Sequence, residues 1–181
     1  MSNAARVVTA SELERYPSDD QRYELVRGRV VRMSPVGYLH GAVVMRLGFL
    51  LSRHLEGRRL GAVLTEVGFT LARDPDTVRA PDISFVCQAR IPASQRGFFN
   101  GSPDLAIEVL SPDDRATELQ EKIMEYLARG TNLVVVVDPE QQAVALYRSG
   151  ASAEHVTGAD SVLDLSDVIS GFTCRLGEIF E

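Results

Sequence analysis

At 181 residues, with 45% apolar and 24% charged content, the chain has the length and composition of one folded domain with a substantial core. It contains no apolar run of membrane-spanning length and no opening signal-peptide pattern, and its two lone thiols, Cys87 and Cys174, fit a reducing compartment, so a cytoplasmic location is expected. The net charge of −6 is uneven, with ten arginines against six acids over residues 1–60 but fifteen acids against five cations over 101–181, which disfavours non-specific nucleic-acid binding except through the N-terminal half.

Thr9-Ala10-Ser11-Glu12 has capping-box spacing and predicts a short helix to about Arg15, broken by Pro17-Ser18-Asp19-Asp20. Tyr23-Glu24-Leu25-Val26 and Arg29-Val30-Val31-Arg32-Met33, joined at Arg27-Gly28, read as a β-hairpin that Ser34-Pro35-Val36-Gly37 ends. From Tyr38 to Leu55, Val43, Val44, Leu47, Leu50, Leu51 and Leu55 recur at helical spacing, and Gly57 and Gly61 stop that helix. Strands are expected over Val63 to Leu71 and Asp82 to Val86, separated by an Asp74-Pro75-Asp76 turn. Gln88 to Ser102 is polar and carries Gly97 and Gly101, the pattern of a mobile loop. Its Arg90, Arg96, Phe98 and Phe99 suit either contact with substrate or another subunit, or plain surface.

Leu105 to Leu110 predicts a strand, Ser111-Pro112-Asp113-Asp114 a helix cap, and Arg115 to Arg129 the helix, closed by Gly130. The apolar, β-branched run Leu133 to Val137 has the character of a buried central strand. Gln141-Gln142 turns the chain back into a strand at Ala143 to Tyr147. Weaker signals put a strand near His155 and a turn at Leu176 to Phe180. With no repeat and no linker, this order predicts an α/β domain on a mixed sheet.

Three residues stand out chemically. Lys122 is the sole lysine against eighteen arginines. An ammonium is a compact charge with a tunable pKa, unlike the planar guanidinium, so Lys122 is either a chemical group or an ordinary solvated helix lysine. Helical spacing sets it beside the stripe of Ala116, Leu119, Ile123, Tyr126 and Leu127, from where its stem can reach a sheet. Asp82 follows Pro81 and leads Ile83-Ser84-Phe85-Val86, while Glu108 lies inside Leu105-Ala106-Ile107-Glu108-Val109-Leu110. Carboxylates in such apolar settings are costly to bury unless paired or metal-bound. Two of them at ~4 Å repel by about 4 kcal/mol at a protein-like dielectric, and a hard divalent cation reverses that sign. The alternative is an edge strand with Glu108 facing water.

These residues in this order resemble the Uma-two family of putative restriction endonucleases, a branch of the PD-(D/E)xK nuclease superfamily. The resemblance spans about Tyr23 to Tyr147. It rests on Tyr23-Glu24-Leu25-Val26-Arg27-Gly28, Ser34-Pro35 with His40, Pro81-Asp82-Ile83-Ser84, Asp104 to Pro112, Lys122 with Tyr126, and Val137-Asp138-Pro139-Glu140. It implies one domain over 1–181, with 151–181 a C-terminal extension. The implied fold is a restriction-endonuclease-like core, a central mixed β-sheet flanked by helices and preceded by an N-terminal helix and β-hairpin.

The resemblance also implies that Asp82 and Glu108 hold the metal, and with the Val109 carbonyl they are expected to position Mg²⁺ or Mn²⁺. Lys122 then replaces the superfamily lysine two positions after the glutamate, a place that Leu110 takes here. Glu24 matches the family's N-terminal acid, a further metal ligand or water-positioning group. His40 matches a family histidine, as a catalytic group or as a helix cap or phosphate contact. Two departures are Glu118 where the family carries aspartate, and Thr131-Asn132-Leu133-Val134-Val135 where it is rich in aromatics. The implied activity is metal-dependent hydrolysis of phosphodiester bonds in DNA by a homodimer, RNA not being excluded. The rival is a non-catalytic oligomeric module for nucleic-acid binding or assembly on the same fold.

Overall fold

The computed structural model describes residues 6–16, 21–112 and 114–181. The expected break at 17–20 lies outside them. The first helix, α1 (Ala10–Leu13), opens with the capping box: Thr9 Oγ1 accepts from the Glu12 amide while the Glu12 carboxylate accepts from the Thr9 amide. It is shorter than expected, because Arg15 and Tyr16 bond back three residues rather than four and tighten the chain out of the α geometry. Strands β1 (Arg22–Val26) and β2 (Arg29–Met33) form the expected hairpin. Arg27 at φ 49° and Gly28 at φ 76° give the twin left-handed pair that a two-residue hairpin turn demands. Helix α2 (Tyr38–Leu55) follows and buries Val43, Leu47, Leu50 and Leu51.

The strand expected over Val63 to Leu71 is in fact two, β3 (Gly61–Thr65) and β4 (Phe69–Ala72). Glu66 between them adopts φ 57°, which ends extension and carries the chain from one sheet to another. The turn at Asp74-Pro75-Asp76 leads into a short strand, β5 (Thr77–Arg79), antiparallel to β4. Asp82 does not begin the next strand but immediately precedes β6 (Ile83–Cys87). The segment 88–102 is more ordered than a loop: it holds a 3-10 turn (Gln88–Arg90) and β7 (Phe99–Asn100), parallel to β4. Arg90 ties it to Asp104 and to the Ser102 carbonyl.

Next come β8 (Leu105–Val109), α3 (Ala116–Ala128), β9 (Leu133–Asp138) and β10 (Ala143–Tyr147). Of the cap expected from Ser111 to Asp114, Asp113 lies outside the described residues, and the described ones do not make it. Arg115 is the N-cap of α3 and contributes no side-chain bond, while Asp114 accepts from the Ser111 amide instead. Gly130, at φ 94°, closes the helix as expected. The chain ends with β11 (Glu154–Thr157), β12 (Val162–Asp164), β13 (Thr173–Arg175) and α4 (Gly177–Phe180).

One sheet runs β2-β1-β5-β4-β7 and a larger one β11-β10-β9-β8-β6-β3, while β12 and β13 pair separately. The larger sheet is mixed, with β8 and β9 parallel and its other pairs antiparallel. Its central strands are buried on both faces. Leu105, Ile107, Val109, Leu133, Val135 and Val137 join the core under α2, while Ala106, Val134 and Val136 join Ile123 and Tyr126 of α3. Each of the buried valines, leucines and isoleucines among them contributes about 1.5–3 kcal/mol. This double burial explains why β9 is a continuous apolar run, and it sets Glu108, between Ile107 and Val109, on the α3 side. Among the described residues no helix is long and apolar enough to cross a membrane.

Close backbone packing at β3 yields a test of the sheet. A Cβ on Gly61 would sit 2.2 Å from the Val86 carbonyl oxygen and 2.6 Å from the Phe85 ring. Backbone in a sheet cannot yield, so Gly61→Ala is expected to destabilise the protein by about 1–3 kcal/mol in urea unfolding.

Candidate active site

The antiparallel register of β6 and β8 pairs Ile83 with Ile107, and one further step sets Asp82 opposite Glu108. Opposed residues of antiparallel strands project from the same face, so the sheet itself brings the two carboxylates together. Asp82 is held from two sides. Its Oδ2 accepts from the Val109 amide at 2.8 Å and lies 3.2 Å from Nε2 of His40, which reaches over from the first turn of α2. The other imidazole nitrogen, Nδ1, is buried and has no partner among the described residues. An imidazole so placed carries its proton on Nε2 and donates to Asp82. That hydrogen bond, outweighing burial, raises the pKa of His40.

Glu108 is buried among groups from α3. Its Oε2 accepts from Lys122 Nζ at 3.2 Å and its Oε1 from the Tyr126 hydroxyl at 3.1 Å. Lys122 and Tyr126 are four residues apart and share one helix face, so a single helix turn supplies both donors. Lys122 Nζ also lies 3.4 Å from Glu24 Oε1. Glu24, in the middle of β1, is held in turn: the Ala80 amide donates to its Oε1 at 3.1 Å and Arg79 Nη1 to its Oε2 at 2.8 Å. Arg79 is itself buried, and its Nε donates to Glu125 of α3 at 2.7 Å.

The charges in this network do not balance locally. Burial comes first in raising the pKa of Glu108. Lys122 opposes it, Asp82 and Glu24 add to it, and the outcome is a carboxyl pushed up to about 7. For Lys122 burial works against the charge, but attraction to Glu108 and Glu24 outweighs it and its pKa rises. The two shifts are compatible: the ammonium serves two carboxylates, whereas Glu108 feels two like charges besides its one cation. Burial, then Glu108, likewise hold the Tyr126 phenol protonated well beyond its ordinary range.

Two adjoining cavities of about 340 and 380 Å³ share Glu24, Glu108, Val109 and Lys122 in their walls. Arg29 and Arg115 line the first, while Arg22, Arg32, His40 and Asp82 line the second. All six residues singled out in the sequence, namely Asp82, Glu108, Val109, Lys122, Glu24 and His40, therefore border one cleft. The segment 88–102 does not. Phe98 and Phe99 line a separate hollow, and Arg90 is engaged by Asp104. Three members of the network escaped sequence reading: Arg79, Glu125 and the hydroxyl of Tyr126. Only Tyr126 left a trace, as a phenol on a buried stripe that must find an acceptor.

Among the described residues no three His, Cys, Asp or Glu side chains are gathered in a form ready to hold a metal ion. The donor chemistry nevertheless suits a hard divalent cation. Among the described residues Asp82 uses Oδ2 alone in its hydrogen bonds, and Glu108 is a buried carboxylate with one cation, Lys122, against two neighbouring carboxylates. Two carboxylates and a carbonyl fit Mg²⁺, which binds few protein ligands and keeps several waters. Glu24, like Glu108, has both oxygens accepting from the protein, but one of its donors is the buried guanidinium of Arg79. Ligation by Glu24 requires exchange of one of those bonds.

A family model described as Uma2, putative restriction endonuclease, matches residues 10–177, wider at both ends than the stretch on which the sequence resemblance rested. The chain is similar in structure to a putative nuclease belonging to DUF820 from Anabaena variabilis ATCC 29413. The identity is 24% and the TM-score 0.84, over 96% of this chain and 97% of that one, a likeness of fold. A second likeness, to a chain of the DrdV–DNA complex, has 16% identity and a TM-score of 0.43 over 79% of this chain and 14% of the other, and carries no argument. No curated protein matches the sequence.

Proposed function

Since the chain belongs to the Uma2 family of putative restriction endonucleases, we propose that it is a divalent-metal-dependent endonuclease that hydrolyses phosphodiester bonds in DNA. The observation that supports this most is the meeting of two strand-borne carboxylates with the sole lysine of the chain, whose ammonium lies 3.2 Å from Glu108. Asp82, Glu108 and the Val109 carbonyl are the proposed ligands of Mg²⁺ or Mn²⁺. Such an ion supplies Lewis-acid polarisation of the phosphate and a nucleophilic water at neutral pH.

The remaining work falls to the protein's own groups. Lys122 directs its ammonium at the charge that builds on the phosphate oxygens. Tyr126 and Lys122 together fix the orientation of Glu108. His40 acts as a positioning residue, since its bond to Asp82 Oδ2 fixes the orientation of that carboxylate. Glu24 serves chiefly as the second anchor of Lys122, and ligation by it is the less favoured role. Arg22, Arg32, Arg29 and Arg115 around the cleft attract the phosphate backbone, against the repulsion of Asp114 and Glu118 in the same lining.

Cation and proton compete for Glu108, which yields a test independent of cleavage. Calorimetric titration with Mg²⁺ or Mn²⁺ is expected to weaken about tenfold per pH unit below about 7 and to level off above it. Asp82→Ala and Glu108→Ala are each expected to abolish the heat of binding. Binding that both substitutions leave intact would take the metal away from these residues.

A further inference from the structure

Strand residues alternate between two faces, and the faces of the β1–β2 hairpin meet different surroundings. Tyr23, Leu25 and Val30 pack with Ala10 and Leu13 of α1. The register sets Arg22 opposite Met33, Glu24 opposite Val31 and Val26 opposite Arg29, and these share the other face. That face looks into the cleft: Glu24, Val31 and Met33 line both of its cavities, while Val26 and Arg29 line the first. A sheet face open to water is ordinarily polar. Here Val26, Val31 and Met33 are apolar, and Val31 is 40% exposed although it stands opposite the buried Glu24. Leu110 and Leu119 continue the apolar lining beside Glu108. A cation and a phosphate group need polar walls only, whereas apolar walls match the flat face of a base.

We infer that the cleft takes a DNA strand unstacked at the scissile phosphate, one base in each cavity, with Val31 and Met33 wedged between them. The substrate is then single-stranded or locally unpaired DNA rather than continuous duplex. Size supports this. Cavities of about 340 and 380 Å³ are of the size that encloses one drug-sized molecule such as a nucleotide, whereas the major groove of a duplex is alone about 12 Å wide.

Position supports it too. Val31 and Met33 belong to both cavities, as do Glu108 and Lys122, so the wedge and the reacting groups stand where the cavities join. Stacked bases lie about 3.4 Å apart along a strand, whereas residues two apart on β2 lie about 6.6 Å apart. That spacing suits bases drawn away from each other, and inserted apolar side chains are a common means of unstacking. Charge agrees. Arg29, two residues from Val31, has no ion-pair partner among the described residues and is free to meet a phosphate. Asp114 and Glu118 repel phosphates, and a single strand brings half the charge per unit length of a duplex. Extruding a paired base costs free energy that an unpaired strand does not incur. A negatively supercoiled plasmid, whose pairs open locally, remains a substrate. The choice of DNA rests on the nuclease reading, whereas unstacking is measured without cleavage.

The test compares one sequence as single strand, as full duplex and as duplex with an unpaired internal bubble. With Ca²⁺ in place of Mg²⁺, fluorescence anisotropy of the full chain is expected to show the single strand and the bubble bound about tenfold or more tightly than the duplex. Emission of 2-aminopurine rises when the base unstacks. In a single strand carrying it, saturating wild type is expected to raise the emission about twofold or more, and Val31→Ala to give less than about half that rise. Val31→Ile is expected to keep the rise. The melting profile of Val31→Ala and its calorimetric titration with Mg²⁺ should match wild type, which separates the wedge from folding and from the metal site. Duplex bound as tightly as single strand would overturn the proposal, as would an unchanged emission or a full rise with Val31→Ala. If no DNA is cut with Mg²⁺ or Mn²⁺, the nuclease reading fails, and the affinity ratio and the emission still decide this one.

Discussion

Lys122→Ala is expected to lower metal-dependent nicking of plasmid DNA by about 10²–10³-fold, the usual cost of losing one preorganised charge at a reacting centre. The ammonium lies within 3.4 Å of both Glu24 and Glu108 at once. A guanidinium is charged but planar and bulkier, and cannot take the same position between two carboxylates. Lys122→Arg is therefore expected to recover little, staying on the order of tenfold or more below wild type. Cleavage within twofold of wild type in both variants would remove Lys122 from the mechanism.

The assay needs a pH at which the variant folds, and Glu108 sets it. Its carboxyl has a folded-state pKa of about 7, above its unfolded value. A group raised in this way stabilises the fold fully below the unfolded pKa, and that contribution is lost as pH rises through the folded one. Removing Lys122 takes away the cation that opposes the rise, so the loss continues to higher pH in the variant. Lys122 contributes no slope of its own in this range, because its pKa is raised above an already alkaline value and it stays charged. The stability gap between Lys122→Ala and wild type is thus expected to widen from pH 6 to pH 8 in urea unfolding. A gap that narrows would contradict the charge arrangement around Glu108.

How far these features could be read beforehand depended on range in sequence. Helix α2, β8 and β9 announce themselves through local apolar patterns long enough to carry a period. Strands β5, β7, β12 and β13 have two or three residues each, too few for any pattern to form. The division of β3 from β4 turns on the left-handed backbone of Glu66, a conformation that glutamate does not advertise. Within the site, Asp82, Glu108 and Lys122 were legible because carboxylates in apolar runs and a solitary lysine are compositional anomalies. The support beneath them was not. Arg79 resembles the other seventeen arginines in sequence, and its two partners lie 55 and 46 residues away.

That arginine should dominate the stability of the site. Pairs such as Arg6–Glu12 and Arg148–Asp167 are open to water, which screens them, and they contribute little. Arg79 is 5% exposed and lies against Glu24, which is 1% exposed. Burial alone would disfavour the guanidinium, but the attraction of Glu24 and the hydrogen bond that Arg79 donates to Glu125 hold it charged. Arg79→Met keeps most of the volume yet strands both carboxylates. Breaking one side of a buried pair costs about 3–5 kcal/mol. For a domain of this size that lowers the melting temperature by roughly 6–20 °C. Adding Glu24→Gln removes one stranded charge, so the double variant is expected to be more stable than Arg79→Met alone, by about 1–3 kcal/mol. A loss below about 1 kcal/mol in Arg79→Met would mean that Glu24 finds water or another partner. In that case the ion pair of Arg79 with Glu24 would not be what ties β1 to the cleft around Lys122 and Glu108.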